Sequence, residues 1–328
     1  VSGMKIGVVV AGAVGGYYGA LLLRQGAEVH LLLRSDYEAV RENGLRIQSA
    51  EGEFTVHPHA HREPGTIGEC HLVLVSIKTT ANDRLAELIT PLLGRDTAIV
   101  SLQNGLGNCE QLAGLFPKQP ILGGLCFVCL NRTAPGIVRH FAFGKIVLGE
   151  HNERAAGRAH DIAELFKAAG VPCSVADRLE DGLWEKLVWN IPFNGLGVAG
   201  VAGLTALESR GESMPETLGT VMPTDQLLAD PAWEDWVRGI MNEIVAVAQA
   251  KGLAVDSGLT EKMIENTRAM GEYRASTLLD FEQNRPMEFE SLFAEPLAQC
   301  RAVGLKIDRL EALVAVLDKI HRKTCIKL

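Results

Sequence analysis

Residues 3–34 read GMKIGVVVAGAVGGYYGALLLRQGAEVHLLLR, and no other stretch narrows the choice of folds so far. An apolar run at 4–10 leads into small residues, a helical pattern at 14–25 and a second apolar run at 27–33, the order of a β-α-β unit. Where a strand ends and a helix opens, backbone N–H groups and the helix dipole can receive a pyrophosphate. The turn offers Ala11, Gly12, Ala13, Val14 and Gly15 for that purpose. Gly12 lets the backbone approach the phosphates, and Gly15 permits close packing of helix on strand. A G-x-G-x-x-G turn has glycine at its first position, but this chain has Val10. A valine there either keeps φ negative in an altered turn or accepts strain of about 1–3 kcal/mol. Neither outcome erases the site.

The end of the second run selects the nucleotide. A chain that binds NAD places Asp or Glu there for the ribose hydroxyl, whereas this one has Leu33-Arg34-Ser35. The Arg34 guanidinium suits a 2′-phosphate, so NADP is the expected cofactor; Asp36 comes two residues late. The alternation continues with a helix at 35–43, strand 71–77, helix 80–92 and strand 97–102, which implies a parallel, doubly wound α/β sheet. Residues 45–61 read as a small hairpin. Strands follow near 121–130, 137–141 and 145–149, then a helix at 153–169 and a short strand in VPCSVA. From 178 onward only helical spacing remains, apart from a polar loop at 208–219. The domains are therefore 1–177, a cofactor-binding α/β domain, and 178–328, an all-α domain. The apolar stripes of the latter suit either a core or the face of a homodimer.

A net charge of −8 argues against nucleic acid or an anionic membrane as partner. No run is long and apolar enough to span a bilayer and no signal pattern opens the chain, so a cytoplasmic protein is expected. Val1-Ser2-Gly3 before Met4 reads as a tag remnant. Seven scattered cysteines fit reduced thiols, and Cys126 and Cys129, three apart in a strand, point to opposite faces. His57, His59 and His61 share a face if extended. No carboxylate or cysteine completes a metal site, so a solvated edge is expected and no metal.

Lys78 and Gln103-Asn104-Gly105 each follow a strand, on the edge of the sheet where ligands of such folds bind. In the second half, Lys186, Asn190 and Asn194 recur at i, i+4 and i+8 within an apolar helix that also contains Pro192. Such a row calls for a buried partner, either a structural network or a ligand. Ser276 falls on a later helix and Glu288 in the first turn of the next.

Together the turn, Arg34, Lys78, Gln103-Asn104-Gly105, the Lys186–Asn190–Asn194 row, Ser276 and Glu288 resemble the ketopantoate reductase (2-dehydropantoate 2-reductase) family, from Met4 to about Ile320. Val10 stands in place of that family's first glycine and Met287 in place of a common threonine. The resemblance implies an N-terminal Rossmann-type domain, a C-terminal helical domain and NADPH reduction of a 2-keto acid, ketopantoate to pantoate. By the same resemblance Lys186 is the general acid, and Asn104 and Glu288 lie near lysine, substrate and nicotinamide. Asn190, Asn194 and Ser276 hold the substrate. Two alternatives stay open: a different branched 2-keto acid, or a protein that senses NADPH or a metabolite without catalysis.

Overall fold

The computed structural model describes residues 3–152 and 157–325, with backbone alone at Thr324 and Cys325. Val1 and Ser2 of the tag-like start, the first residues of the helix expected at 153–169, and the Cys325 thiol lie outside the described residues. The chain divides into two compact units, Val1–Leu179 and Glu180–Leu328.

In chain order, the first unit contains β1 (Lys5–Val9), α1 (Ala13–Arg24), β2 (Glu28–Leu32), α2 (Tyr37–Asn43), β3 (Leu45–Ser49), β4 (Gly52–Val56), β5 (His59–His61), β6 (Cys70–Val75), α3 (Leu85–Ile89), β7 (Leu93–Ser101), α4 (Asn108–Leu115), β8 (Ile121–Ala134), β9 (Ile137–Glu150), α5 (Gly157–Ala168) and β10 (Cys173–Val175). The strands form one sheet in the order β4-β3-β9-β8-β7-β6-β1-β2-β5, with β10 beside β9. The pairs along β8-β7-β6-β1-β2-β5 are parallel, as βαβ logic requires, whereas β3–β4 and β8–β9 are antiparallel.

This order forces a curvature that the pattern of strands alone does not reveal. β4 and β5 stand at opposite ends of the order, yet only His57 and Pro58 separate them in the chain. Two residues bridge at most about 10 Å, whereas a flat sheet of this width measures about 38 Å. The sheet is therefore curled, and α1 lies within the curl. Tyr18 Oη donates to the Gly144 carbonyl of β9 at 3.2 Å, Arg24 stacks over Phe54 of β4, and the backbone of Gly16 lies against Val138 and Leu45. An almost wholly apolar helix such as α1 needs cover on most of its surface, and here residues 15–20 and Leu22 are buried, with Ala13, Val14, Leu21 and Leu23 half-buried.

Two expectations change in detail. The helix expected at 80–92 is a short α3 between 3₁₀ turns at Thr79–Arg84 and Thr90–Leu92. Ala81 leaves helical geometry at φ −124°, and Pro91 cannot donate to a continuing ladder. The strands expected at 137–141 and 145–149 are one strand, β9, and the gap between them is a bulge, with Phe143 at φ +66°. The hairpin read at 45–61 comprises β3 and β4; β5 departs from it to pair with β2.

The second unit continues α6 (Leu179–Ala199), whose first residue belongs to the unit before, with α7 (Leu204–Glu208), α8 (Thr224–Ala229), α9 (Pro231–Ala250), α10 (Leu259–Met270), α11 (Ser276–Glu282), a π-helical turn at Glu290–Ala294, α12 (Glu295–Val303) and α13 (Asp308–Cys325). The stripes of α9 and α13 are core: Ile240, Ile244, Leu313 and Leu317 are fully buried. Asp230 caps α9 through the N–H groups of Ala232 and Trp233. Among the described residues no helix is long and apolar enough to cross a membrane.

Candidate active site

The glycine turn keeps its shape at the cost of strain in one residue. Val10 has φ +51°, a left-handed value at which a β-branched side chain is a genuine outlier. Of the two possibilities for this valine, the chain takes the strained one. Around it, the Ala11 N–H donates to the Leu32 carbonyl at 3.0 Å and Ser76 Oγ donates to the Val10 carbonyl at 3.5 Å. A Cβ on Gly15 would stand 2.1 Å from Ser76 Oγ and 2.8 Å from Val8, so only glycine lets α1 pack this closely. Gly12, by contrast, faces open space. The N-terminus of α1 has no side-chain cap and no acidic residue in its first turn, which leaves its N–H groups and dipole to an anion.

Because the valine is already strained in the chain alone, its replacement acts on stability. Val10→Gly is expected to raise the unfolding free energy by about 1 kcal/mol once the greater unfolded-state freedom of glycine is subtracted. Chemical denaturation measures this, and an unchanged midpoint would mean the turn holds no strain.

At the end of β2 the two candidate nucleotide-selecting residues differ sharply. Asp36 is buried, its carboxylate paired with Arg132 and accepting from Ser35 Oγ at 3.0 Å and the Gly136 N–H at 3.3 Å. A ribose cannot claim it. The Arg34 side chain is exposed and has no ion-pair or hydrogen-bond partner among the described residues. Arg132 was not foreseen; it lies 96 residues from Asp36 and no local pattern announces it.

Lys78 and Asn104 sit on adjacent loops after β6 and β7. Those loops are tied together by amides: Gln103 Nε2 donates to the Ile77 carbonyl at 2.8 Å and to Asn82 Oδ1 at 2.7 Å, and Asn82 Nδ2 donates to Asn108 Oδ1 at 3.2 Å. Asn108 in turn donates to the Asn104 carbonyl at 3.0 Å. Gly105 and Gly107, at φ +87° and +84°, make the tight path that presents Asn104. Cys109 beside this network is buried, which pushes its thiol up to about 12 and leaves it unreactive.

In the second unit, α6 runs unbroken through Pro192 and bears Lys186, half-buried, with Asn190 and Asn194, both buried. Asn194 is the joint of this site. Its amide donates to the Asn190 carbonyl at 3.0 Å, and its Oδ1 accepts from the Thr277 N–H at 3.0 Å and from Ser276 Oγ at 3.4 Å. The row on α6 is thereby fixed to the start of α11. Glu288 is buried and is separated only by Phe289 from the π-helical turn, a distortion frequent near functional sites. Asp280, buried on α11, is held by Arg285 at 2.9 Å. The structure thus joins Asn190, Asn194 and Ser276 in one contact network, and Lys78 and Asn104 on one pair of loops.

A curled Rossmann-type sheet with an open glycine turn, together with a helical unit bearing a lysine and amide row, defines a dinucleotide-dependent oxidoreductase. The family model "Ketopantoate reductase PanE/ApbA" matches residues 6–153, and its C-terminal counterpart matches 214–321. A 2-dehydropantoate 2-reductase of Nostoc sp. is 35% identical over 94% of this chain and 92% of its own. The crystal structure of a 2-dehydropantoate 2-reductase from Geobacter metallireducens is 45% identical, with a TM-score of 0.86 over 97% of this chain and 100% of that one. That from Methylococcus capsulatus is 31% identical, with a TM-score of 0.83 over 98% of each. The chain belongs to the ketopantoate reductase family.

Proposed function

We propose that this protein reduces 2-dehydropantoate to pantoate with NADPH. The observation that carries the reading is the row of Lys186, Asn190 and Asn194, bound to the start of α11, in a chain similar over nearly its whole length to 2-dehydropantoate 2-reductases. A sensor of NADPH has no need of such a row. The Gly12 space, the uncapped α1 terminus and the unpaired Arg34 fit a dinucleotide bearing a 2′-phosphate. Lys78, Asn104 and Glu288 complete the cofactor set.

NADPH, when bound, supplies a hydride to the ketone carbon. Charge then develops on the ketone oxygen, and Lys186 Nζ neutralises it by donating a proton, so that the ketone becomes a secondary alcohol. Glu288 favours the charged form of the lysine, and the amides of Asn190 and Asn194 with the Ser276 hydroxyl orient the keto acid. We place the reaction in the cytoplasm, where the six described cysteines, none of them joined in a disulfide, would stay reduced.

The test is loss of reduced-nicotinamide absorbance against a panel of 2-keto acids that includes 2-dehydropantoate. Fastest turnover on 2-dehydropantoate supports the assignment; faster turnover on another branched 2-keto acid moves it to that substrate, and none on any supports a sensor. The cofactor is tested separately. Arg34→Asp is expected to weaken NADPH binding by about 1.5–3 kcal/mol, the worth of a charged hydrogen bond, and to leave NADH binding unchanged. Equal affinity of the unaltered protein for both nucleotides would remove Arg34 from this role.

A further inference from the structure

Parallel pairing of β2 with β5 sets His30 opposite His59 and Leu32 opposite His61. Alternation then puts Glu28, His30, His59 and His61 on one face of the two strands. The segment around His59 has no carboxylate of its own that completes a site; the fold supplies one from β2. Ligand atoms of Glu28, His30 and His59 lie within 4.8 Å of one another, and the rings of His30 and His59 stack at 4.6 Å.

The hydrogen bonds behind these groups decide which nitrogen of His30 a ligand can reach. Glu28 Oε1 lies 2.8 Å from His30 Nε2, His30 Nδ1 lies 2.9 Å from His61 Nε2, and His61 Nδ1 lies 2.7 Å from Thr66 Oγ1. Thr66 Oγ1 donates to the Glu63 carbonyl at 2.7 Å. A carboxylate and a carbonyl, acceptors only, close the two ends. Two neutral imidazoles and one hydroxyl bring three protons to four contacts. When the hydroxyl donates to Glu63, His61 donates from Nδ1 to Thr66 and His30 from Nδ1 to His61, which leaves the His30 Nε2 lone pair beside the Glu28 carboxylate, open to a cation; without a cation the chain runs the other way and His30 Nε2 donates to Glu28.

We propose that Glu28, His30 and His59 bind a divalent d-block cation of the Zn²⁺ type. Imidazole nitrogen with carboxylate oxygen is a donor set for such ions, and a solvent water would complete four-coordination. Bonds of about 2.0–2.1 Å place tetrahedral ligand atoms about 3.3 Å apart, so the set closes by small movements. The exposed Glu28 and His59 make those movements, while buried His30 is the fixed anchor. The chain His30–His61–Thr66–Glu63 is the outer support that orients a metal-bound imidazole, each member donating to the next. Lys5 places an opposing charge near the cluster, with its ammonium turned to the Ile67 carbonyl.

Titration of the full-length protein with Co²⁺ tests this. The expected result is ligand-field absorption of four-coordinate Co²⁺ that saturates at one ion per chain and is displaced by Zn²⁺. Glu28→Gln and His59→Ala, both at exposed positions, should each weaken binding at least ten-fold with an unchanged far-UV spectrum. Thr66→Val should weaken it by about ten-fold through the outer support, and His57→Ala should leave it unaltered. Absence of saturable absorption in the unaltered protein overturns the proposal. So does equal loss from His57→Ala and His59→Ala, the mark of unspecific histidine binding.

Discussion

Lys186→Ala lowers turnover on the best 2-keto acid by roughly 10²–10⁴-fold, the range that a positioned general acid contributes. The lysine is held half-buried on α6, one helical step before Asn190; in the proposed mechanism its ammonium attracts the keto acid and then protonates the forming alkoxide. Turnover falls further than apparent affinity, because the proton is needed only as the oxygen gains charge. NADPH affinity measured by calorimetry stays near that of the unaltered protein, since the glycine turn and Arg34 belong to the other compact unit. Glu288→Ala is slow as well. The double variant falls short of the product of the two single losses if carboxylate and ammonium act as a unit. Near-normal reduction by Lys186→Ala would move the proton donor to another residue.

Asn194→Ala is expected to damage fold and activity together. Its Oδ1 accepts from the buried N–H of Thr277, and removal leaves that donor without its partner, at a cost of about 1–3 kcal/mol. The start of α11 then loses its tie to α6, and the orientation of the keto acid is lost with it. Ser276→Ala is the contrasting variant. Ser276 is exposed and its bond to Asn194 is long, so stability changes by less than about 0.5 kcal/mol while activity falls. Urea denaturation and initial rates on the same two proteins separate the roles. A stable, slow Asn194→Ala would assign that residue to substrate alone.

The parts legible from sequence were those written in neighbouring residues. The apolar runs around Gly12 and Gly15, the i, i+4, i+8 row from Lys186, and the stripes of α9 and α13 each depend on local period, and each appears where the period placed it. What local order hides is pairing at long range. Nothing in residues 45–61 states that β3 will join β9 while β5 crosses to β2, yet that pairing curls the sheet and brings Glu28 to His59. Asp36 is a similar case. Its position near Arg34 left open a role toward ribose, and only Arg132 and Gly136, far along the chain, show the carboxylate to be engaged elsewhere. The conformation of Val10 was undecided for another reason, since strain at one residue is set by its surroundings, here the Ser76 and Leu32 contacts that fix the turn.

Enclosure of α1 has a consequence for the order in which a ribosome delivers this fold. The β1–α1–β2–β5 segment is complete within the first 61 residues, yet β3 has no neighbour but β4 until β9 emerges about 90 residues later. At roughly 5–20 residues per second, that delay is about 5–20 s. Throughout it, Tyr17 and Tyr18 lack their cover from β9 and present aromatic surface to the surrounding water. The helix proposed to receive the pyrophosphate is thus among the first elements synthesised and among the last to be enclosed, and a chaperone that recognises exposed aromatic groups has its longest opportunity there.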